Sequence, residues 1–181
     1  MRLYKTQAHR LHHHSKIERV MIIKTNRCCI STLQQADIEN AVRLFTDESV
    51  RRYLGGTLSV QAAVEKLNSW SNSKNDLYLT VSLLENGGFV GIISVTAYHD
   101  GEYKELSYLF LSEYWGMGLA FESIKETLDY LKTNTDLTTL VAETQSKNQA
   151  SCKLLERLGF CLAYNVIRFG DNQSIYRINL I

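Results

Sequence analysis

The chain has 181 residues, of which 45% are hydrophobic and 22% charged, which is enough for one globular domain with a real core. Its formal net charge of +1 provides no strong field for nucleic acid or an acidic membrane, so we expect neither as a partner. The longest apolar run near the N-terminus, Val20 to Ile23, is too short for a membrane span or a signal-peptide core.

Residues 1–20 differ in composition from the rest. They hold five basic residues against one acid, Glu18, together with a histidine cluster at His12, His13 and His14. Adjacent side chains do not converge on one side of a helix or strand, so we predict no metal site. We interpret residues 1–20 as an extension outside the core, or as translation from a start codon upstream of Met21. Residues 21–181 are then a single domain.

The cysteines give the expected compartment. Cys28, Cys29, Cys152 and Cys161 have no CxxC spacing. Since no export signal is seen, we interpret them as reduced thiols and expect a cytoplasmic protein.

From Met21 onward, the apolar periodicity predicts a succession of strands and helices. Glu85 to Gly88, between two strand-like runs, form a strong hairpin signal that begins an antiparallel meander. The predicted elements, in chain order, are a strand over 21–32, a helix ending at 55–56, a helix opening at 59, strands over 77–84, 89–98 and 103–111, a helix from 116, a strand over 138–144, a helix over 148–158, and strands over 160–169 and 174–180. This order predicts a mixed α/β sandwich.

The most informative segment is Tyr114-Trp115-Gly116-Met117-Gly118-Leu119-Ala120, between a predicted strand and a predicted helix. Backbone N–H groups at a helix N-terminus lack internal partners and carry partial positive charge, so they bind phosphates. The crossover makes strands 103–111 and 138–144 parallel, with this turn at their C-terminal ends, where ligands of open α/β sheets bind. Taken alone, the two glycines are weak evidence for a phosphate site, because they could serve only to allow a tight strand-to-helix turn. Phe121 replaces the third glycine of the dinucleotide fingerprint, and the Gly-Lys-Ser/Thr ending of a P-loop is missing.

A second motif narrows the interpretation. Asn148-Gln149-Ala150-Ser151 opens a short helix that Leu158-Gly159-Phe160 closes. With Glu113-Tyr114-Trp115-Gly116-Met117-Gly118 before it, the chain from Met21 to Ile181 resembles the GNAT superfamily of N-acetyltransferases. It most resembles the ribosomal-protein N-terminal acetyltransferases, the RimJ/RimL-like branch. The family's signatures are Q/R-x-x-G-x-G/A after the fourth strand, then N-x-x-S/A followed by Leu and Gly-Phe.

The resemblance implies a GNAT fold of the α/β (α+β) class. This fold is a mixed, mostly antiparallel central sheet of about seven strands with about four flanking helices, and a splayed parallel pair at the cofactor site. The implied activity is acetyl-CoA-dependent N-acetyl transfer, in which a primary amine attacks the thioester directly in a ternary complex. The acceptor is a peptide N-terminus or a small-molecule amine, and a homodimer is left open.

The resemblance also implies residue roles. Backbone amides of the glycine turn would hold the pyrophosphate, and Asn148 would bond the pantetheine arm or the phosphate region. A backbone N–H around Phe110 or Leu111 would polarise the thioester carbonyl. Ser151 would protonate or hydrogen-bond the sulfur, unless it is an ordinary first-turn serine. The predicted cofactor-binding residues are Phe110, Leu111, Trp115, Gly116, Met117, Gly118, Leu119, Ala120, Asn148 and Ser151.

Glu105 is the candidate catalytic base, acting through a water, because it lies on the strand just before the glycine turn. Ser107 shares its strand face and could help to hold that water. The alternative is a solvated edge residue, since Glu102 and Lys104 lie nearby. An α-amino group with a pKa of ~8 is about a tenth neutral at pH 7, whereas lysine at ~10.4 is neutral in about 0.04% of molecules. The difference, roughly 3 kcal/mol, favours a peptide N-terminus or a small amine.

The sequence departs from the family pattern at two positions. Glu113 stands where a base or amide is usual, so we expect its side chain to point to solvent. Leu155 replaces a tyrosine that protonates the thiolate in many relatives, which leaves Ser151 as the substitute. Cys152 has no histidine nearby in sequence, so we do not assign it as a nucleophile.

The acceptor pocket in such folds is built by the first two helices and the final hairpin. Arg51, Arg52, Tyr53, Trp70 and residues 164–168 are candidates to shape it, or simply pack and solvate the surface.

Two other functions compete with acetyl transfer. Glu113 and Leu155 keep open a non-catalytic acyl-CoA-binding regulatory module. The glycine turn alone would also suit a nucleotide-binding protein.

Overall fold

The structure is a computed structural model that describes residues 21–181. The predicted N-terminal extension and its histidine cluster lie outside the described residues. None of the helices within residues 21–181 is long and apolar enough to cross a membrane.

The core of the fold is a single eight-stranded sheet with the strand order β1-β2-β3-β4-β5-β6-β8-β7. All neighbouring strands are antiparallel except β5 and β6, which are parallel. The strands are β1 (Ile22–Lys24), β2 (Cys28–Thr32), β3 (Leu77–Leu83), β4 (Phe89–Ala97), β5 (Lys104–Phe110), β6 (Thr139–Gln145), β7 (Cys161–Arg168) and β8 (Asp171–Asn179). The predicted mixed, mostly antiparallel sheet is therefore confirmed.

The segment predicted as one strand over 21–32 is instead a hairpin. β1 and β2 pair antiparallel, with Ile23 opposite Ile30. The turn between them is held by Thr25, whose Oγ1 accepts hydrogen bonds from the N–H groups of Arg27 and Cys28 at 3.2 and 2.8 Å. This extra strand makes the sheet eight strands rather than about seven.

The first predicted helix is broken into three short helices. Asp47 has an extended backbone, and its side chain accepts hydrogen bonds from the N–H groups of Ser49 and Val50, so a new helix starts at Glu48. Two 3-10 turns, Gln35–Asp37 and Ser112–Tyr114, precede α1 and follow β5. The helices are α1 (Ile38–Ala41), α2 (Arg43–Thr46), α3 (Glu48–Arg51), α4 (Val60–Ser71), α5 (Leu119–Asn134) and α6 (Gln149–Arg157).

The helices cover both faces of the sheet. On one face, α1 to α4 pack a core that includes Phe45, Leu67, Ile92 and Leu111. On the other face, α5 and α6 pack a second core that includes Leu106, Phe110, Ile124, Leu155 and Phe160. Leu106 and Phe110 therefore face one way along β5, and Leu111 faces the other.

Phe121 on α5 does not belong to the core. Phe121 is only partly buried, and the buried face of α5 is formed by Leu119, Ser123, Ile124, Thr127, Leu128 and Leu131. Phe121 lies outside this stripe because its ring borders a cleft, where the Arg157 guanidinium stacks over it at 4.7 Å.

The parallel pair of strands separates almost immediately. β5 and β6 are paired only at Lys104–Leu140 and Glu105–Val141, although both strands continue for several residues. The predicted splayed parallel pair is thus present, and its opening positions the candidate site.

Candidate active site

A cleft of about 1930 Å³ opens where β5 and β6 diverge. Most of the predicted site residues border it, on β5, on the glycine turn and at the start of α6: Glu105, Phe110, Trp115, Gly116, Gly118, Ala120, Asn148 and Ser151. The side chains of Leu111 and Leu119 are buried in the two cores instead, and Met117 is 54% exposed. The fold therefore gathers residues that are far apart in sequence around one cavity.

The glycine turn presents free backbone donors to solvent. Gly116 and Gly118 have φ angles of 73° and 79°, a conformation that side chains with a Cβ rarely adopt. Within residues 21–181, no hydrogen bond joins the N–H groups of residues 116–120 to a protein acceptor. Gly116, Met117 and Gly118 are exposed. Such a set of unpaired amides at the start of α5 suits a pyrophosphate.

A basic residue that the sequence did not single out lies beside this turn. Arg27, in the β1–β2 turn, donates from Nη1 to the carbonyl oxygen of Met117 at 2.9 Å. It also forms an ion pair with Glu122 at 2.7 Å, and Glu122 accepts a further hydrogen bond from the Arg27 backbone. The Glu122 side chain, 18% exposed, therefore anchors the β1–β2 turn to α5.

Glu113 is exposed, and it is also neutralised. Its Oε2 atom accepts a hydrogen bond from Arg43 Nη2, on α2, at 2.6 Å, and each side chain is about half exposed. Because the carboxylate has a cation against it, it does not present an uncompensated negative charge to the glycine turn. The pair joins the first helical layer to the turn that follows β5.

Two backbone N–H groups at the end of β5 differ in their hydrogen bonding. The N–H of Leu111 donates to the Val90 carbonyl on β4 at 2.9 Å. Since donors alternate along an antiparallel ladder, the N–H of Phe110 points away from β4, into the opening beside β6. The Phe110 carbonyl accepts a hydrogen bond from Trp115 Nε1 at 2.8 Å, which fixes the strand end against the glycine turn. Of the two predicted carbonyl-polarising donors, Phe110 is the one that faces the opening.

Glu105 borders the cleft in a partly buried position. Ser107 Oγ donates to its Oε1 at 3.3 Å. Burial, and then the negative charge of Glu143, raise the pKa of Glu105 to about 7, against the lowering effects of Ser107 and Arg168. The carboxyl group therefore exchanges its proton near neutral pH, as a general base must.

Glu143, on β6, is the centre of a polar cluster that the sequence did not reveal. We call Glu143, Arg168, Tyr98 and His99 the Glu143 cluster. Glu143 Oε2 accepts from Arg168 Nη1 at 2.6 Å and from the Tyr98 hydroxyl at 3.1 Å, and His99 Nε2 lies 4.0 Å away. The Glu143 side chain is only 10% exposed, and its Oε1 is buried without a hydrogen-bond partner among the described residues.

The start of α6 combines a helix cap with a hydroxyl pair. Asn148 is the N-cap, and its Oδ1 accepts from the Ser151 N–H at 3.2 Å. Ser151 Oγ lies 2.8 Å from the Tyr108 hydroxyl, on β5. Burial raises the pKa of Tyr108 to about 12, so this phenol is a neutral hydrogen-bonding group. Sequence reasoning missed Tyr108, and the only available signal was that it points to the α6 side of β5.

The far wall of the cleft is aromatic and basic. Trp70 stacks on Tyr78 with ring centroids 4.7 Å apart, and its edge meets Phe45 at 5.4 Å. Arg51 is held by its own helix end, since it donates to the carbonyl oxygens of Leu54 and Gly56. The residues that the sequence suggested for the acceptor pocket lie in two places. The far wall holds Arg51, Arg52, Tyr53 and Trp70, whereas Arg168 borders the cleft from β7 and Tyr164, also on β7, lies outside the cleft lining.

Comparison with known proteins decides the family. A profile described as an acetyltransferase (GNAT) domain matches residues 27–161, about three quarters of the chain. The chain belongs to the GNAT acetyltransferase family. A curated relative, the uncharacterized N-acetyltransferase YoaA of Bacillus subtilis (strain 168), is 23% identical over 145 residues, covering 77% of this chain and 82% of that protein.

Solved GNAT structures share the fold. A spermidine N-acetyltransferase from Vibrio cholerae, in complex with CoA and spermine, superimposes with a TM-score of 0.74 at 16% identity, over 84% of this chain and 95% of that one. An acetyltransferase from Salmonella typhimurium that modifies the N-terminal serine of ribosomal protein L7/L12 gives 0.72 at 13% identity, over 88% and 99%. At these identities the likeness establishes the fold alone.

Proposed function

We propose that this GNAT protein transfers the acetyl group of acetyl-CoA to a primary amine, by direct attack in a ternary complex. The observation that carries the proposal is a single cleft with unpaired amides of the glycine turn at one end and Glu105 on the strand beside it. An anion-binding turn and a carboxyl group that titrates near neutrality are what the reaction needs.

The residues present fit acetyl-CoA. The amides of residues 116–120 would bind the pyrophosphate, and Arg27, which is paired with Glu122, would hold the turn in place through the Met117 carbonyl. Asn148 uses its side-chain oxygen as a helix cap, so its Nδ2 group is the part that would bond the pantetheine arm. When bound, acetyl-CoA supplies the activated acetyl thioester. The N–H of Phe110 would polarise the thioester carbonyl.

On the acceptor side, Glu105 removes the proton that blocks attack. A primary amine must be neutral to be nucleophilic, and an α-amino group with a pKa of ~8 is mostly protonated at pH 7. A carboxylate of ordinary pKa would be a weak base toward it, whereas Glu105 has a pKa of about 7. Proton transfer from the acceptor, directly or through a water, then needs little additional free energy.

On the sulfur side, Ser151 and Tyr108 act together. The Tyr108 phenol stays protonated, so it can donate to Ser151 Oγ, and in that arrangement the Ser151 proton would be free for the sulfur. Ser151 then gives its hydrogen bond to the departing thiolate. Leu155, at the position of the usual tyrosine, is 1% exposed in the α6-side core and supplies no proton.

The acceptor we favour is a peptide N-terminus or a small amine, as in the RimJ/RimL-like branch. The roughly 3 kcal/mol needed to neutralise a lysine-type amine relative to an α-amine argues in this direction. Arg51 and Arg52 on the cleft wall also disfavour a polycationic acceptor.

The competing function, a non-catalytic acyl-CoA-binding module, depended on Glu113 and Leu155. Arg43 neutralises Glu113, and the Tyr108–Ser151 pair provides a hydroxyl where Leu155 does not. Both features therefore fit catalysis as well.

The test combines binding with turnover. Acetyl-CoA should raise the melting temperature more than ATP or NAD, and free thiol should be released with at least one amine from a panel of N-terminal peptides and small amines. Glu105→Gln should lower turnover by about 100-fold and leave the acetyl-CoA-induced stabilisation unchanged. Stabilisation without thiol release would favour the binding module. An equal or larger shift with ATP or NAD would contradict the cofactor assignment.

A further inference from the structure

The Glu143 cluster lies directly beside the proposed base. In the parallel register, Glu105 pairs with Val141, and Glu143 is two residues further along β6, on the same face. Glu143 also borders the cleft, although its side chain is only 10% exposed. Two carboxyl groups on adjacent strands therefore share one end of the cavity.

The arrangement of Glu143 is more than a structural ion pair requires. Oε2 receives both recorded hydrogen bonds, from Arg168 and Tyr98, while Oε1 is buried with no partner among the described residues. Leaving a buried carboxylate oxygen unsatisfied destabilises the folded state. A pair that served only to link β6 and β7 across β8 would gain nothing from this arrangement.

We propose that Glu143 is a positioning residue that keeps Glu105 basic enough to take a proton from the acceptor amine, with Arg168 as the opposing charge that limits this effect. The proposal rests on the proposed function of Glu105. In the step concerned, an N–H bond of the acceptor ammonium breaks and an O–H bond forms on Glu105. The ammonium becomes a neutral amine and the carboxylate a neutral acid.

Glu143 and Arg168 act on the protonation of Glu105 in opposite directions. A negative charge beside Glu105 favours its protonated form, and a positive charge favours its ionised form. Glu143 from β6, Arg168 from β7, His99 after β4 and Arg51 on the far wall border the cleft with Glu105. Tyr98 and Tyr164 lie beside Arg168, and Arg177 of β8 is in register with Val141 on the same face of the sheet. Of these, Glu143 raises the pKa of Glu105 and Arg168 lowers it.

Removing the negative charge of Glu143 and removing the positive charge of Arg168 should therefore shift the titration midpoint of Glu105 in opposite directions. In Glu143→Gln the positive charge of Arg168 is left without its partner, so the Glu105 midpoint should fall by about one unit. In Arg168→Gln the charge of Glu143 is left unpaired, so the midpoint should rise by a similar amount. The double variant replaces the Glu143–Arg168 ion pair, whose net charge is zero, by two uncharged side chains. Its Glu105 midpoint should therefore lie between those of the two single variants.

Two measurements on the full chain test this. The first follows the Glu105 side-chain carbonyl carbon by NMR during a pH titration without ligands, with Glu105→Gln to assign the signal. The second follows the pH dependence of kcat/KM. Glu102→Gln and Lys132→Gln, which remove an exposed acid and an exposed base outside the cleft lining, are matched controls and should leave the midpoint in place. Glu143→Asp keeps the charge and serves if Glu143→Gln does not fold.

The outcomes are distinct. Midpoints that shift down in Glu143→Gln and up in Arg168→Gln, in both measurements, support the proposal. Equal midpoints in all variants, or shifts of the same sign, overturn it. A shift in the NMR titration without a shift in the rate profile also overturns its catalytic part. A protein that acetylates no amine but still shows the NMR shifts would contradict the proposed function separately.

Discussion

Glu105 makes the folded protein's stability depend on pH. Its pKa is raised from the ordinary 4.5 to about 7, chiefly by burial. The folded state therefore binds this proton more tightly than the unfolded state. The resulting stabilisation is fully present below about pH 4.5 and is lost as pH rises through about 7.

The matched variant for this effect is Glu105→Gln, which cannot ionise. Between about pH 4.5 and 7, the free energy of unfolding of the natural protein should fall by up to about 3 kcal/mol relative to the variant, since each pKa unit is about 1.4 kcal/mol. Urea unfolding of both proteins across this range measures the difference. A constant difference would show that the Glu105 carboxyl ionises as freely in the folded state as in the unfolded state.

Tyr108 and Ser151 should behave as one unit. We expect Ser151→Ala and Tyr108→Phe each to lower kcat by about 10- to 100-fold, because both interrupt the hydrogen bond to the leaving thiolate. The double variant should be no slower than the slower single variant, since Tyr108 acts through Ser151. Tyr130→Phe, on α5 outside the cleft lining, is the control and should retain full activity. Fully additive losses would mean that the two hydroxyls work separately.

At the scale of elements, the glycine turn offers a comparison with another turn of the same geometry. Gly116 and Gly87 have φ angles of 73° and 72°, and a Cβ added at either would meet no atom within 4 Å. Alanine at either position should therefore destabilise the fold by a similar amount, about 1 kcal/mol. Only Gly116→Ala places a methyl group among the amides proposed to bind pyrophosphate.

We accordingly expect Gly116→Ala to raise the Kd for acetyl-CoA by about tenfold or more, which is 1.4 kcal/mol or more, and Gly87→Ala to leave it unchanged. Isothermal titration with acetyl-CoA and melting curves of both variants separate binding from folding. Equal affinities in the two variants would place the coenzyme elsewhere in the cleft.

The existence of most elements could be predicted from the sequence, because period-two and period-3.6 patterns and turn residues are local. The hairpin at Glu85 to Gly88 and the helix after Gly118 are examples. Boundaries set by one side chain were missed. Asp47 restarts a helix and Thr25 closes a turn, and both act through hydrogen bonds that do not alter the hydrophobic pattern.

At the scale of the whole molecule, the candidate site depends on pairs that no local pattern encodes. Arg43 and Glu113 are 70 positions apart, and Tyr108 and Ser151 are 43 apart. Gly116 and Asn148 could be selected from the sequence because each belongs to a short motif at a turn. The partners of Glu105 could not be predicted, because they come from β6 and β7, whose register against β5 is set only by the complete sheet.

The brief pairing of β5 with β6 has a mechanical consequence. Five strands lie on one side of this seam and three on the other, and the sheet is continuous across it for only two residue pairs. A molecule that binds to both β5 and β6 would hold the two parts of the sheet in a fixed position relative to each other. Slower amide hydrogen exchange along Leu106 to Phe110 would then report occupancy of the gap, even with an acyl carrier that cannot react.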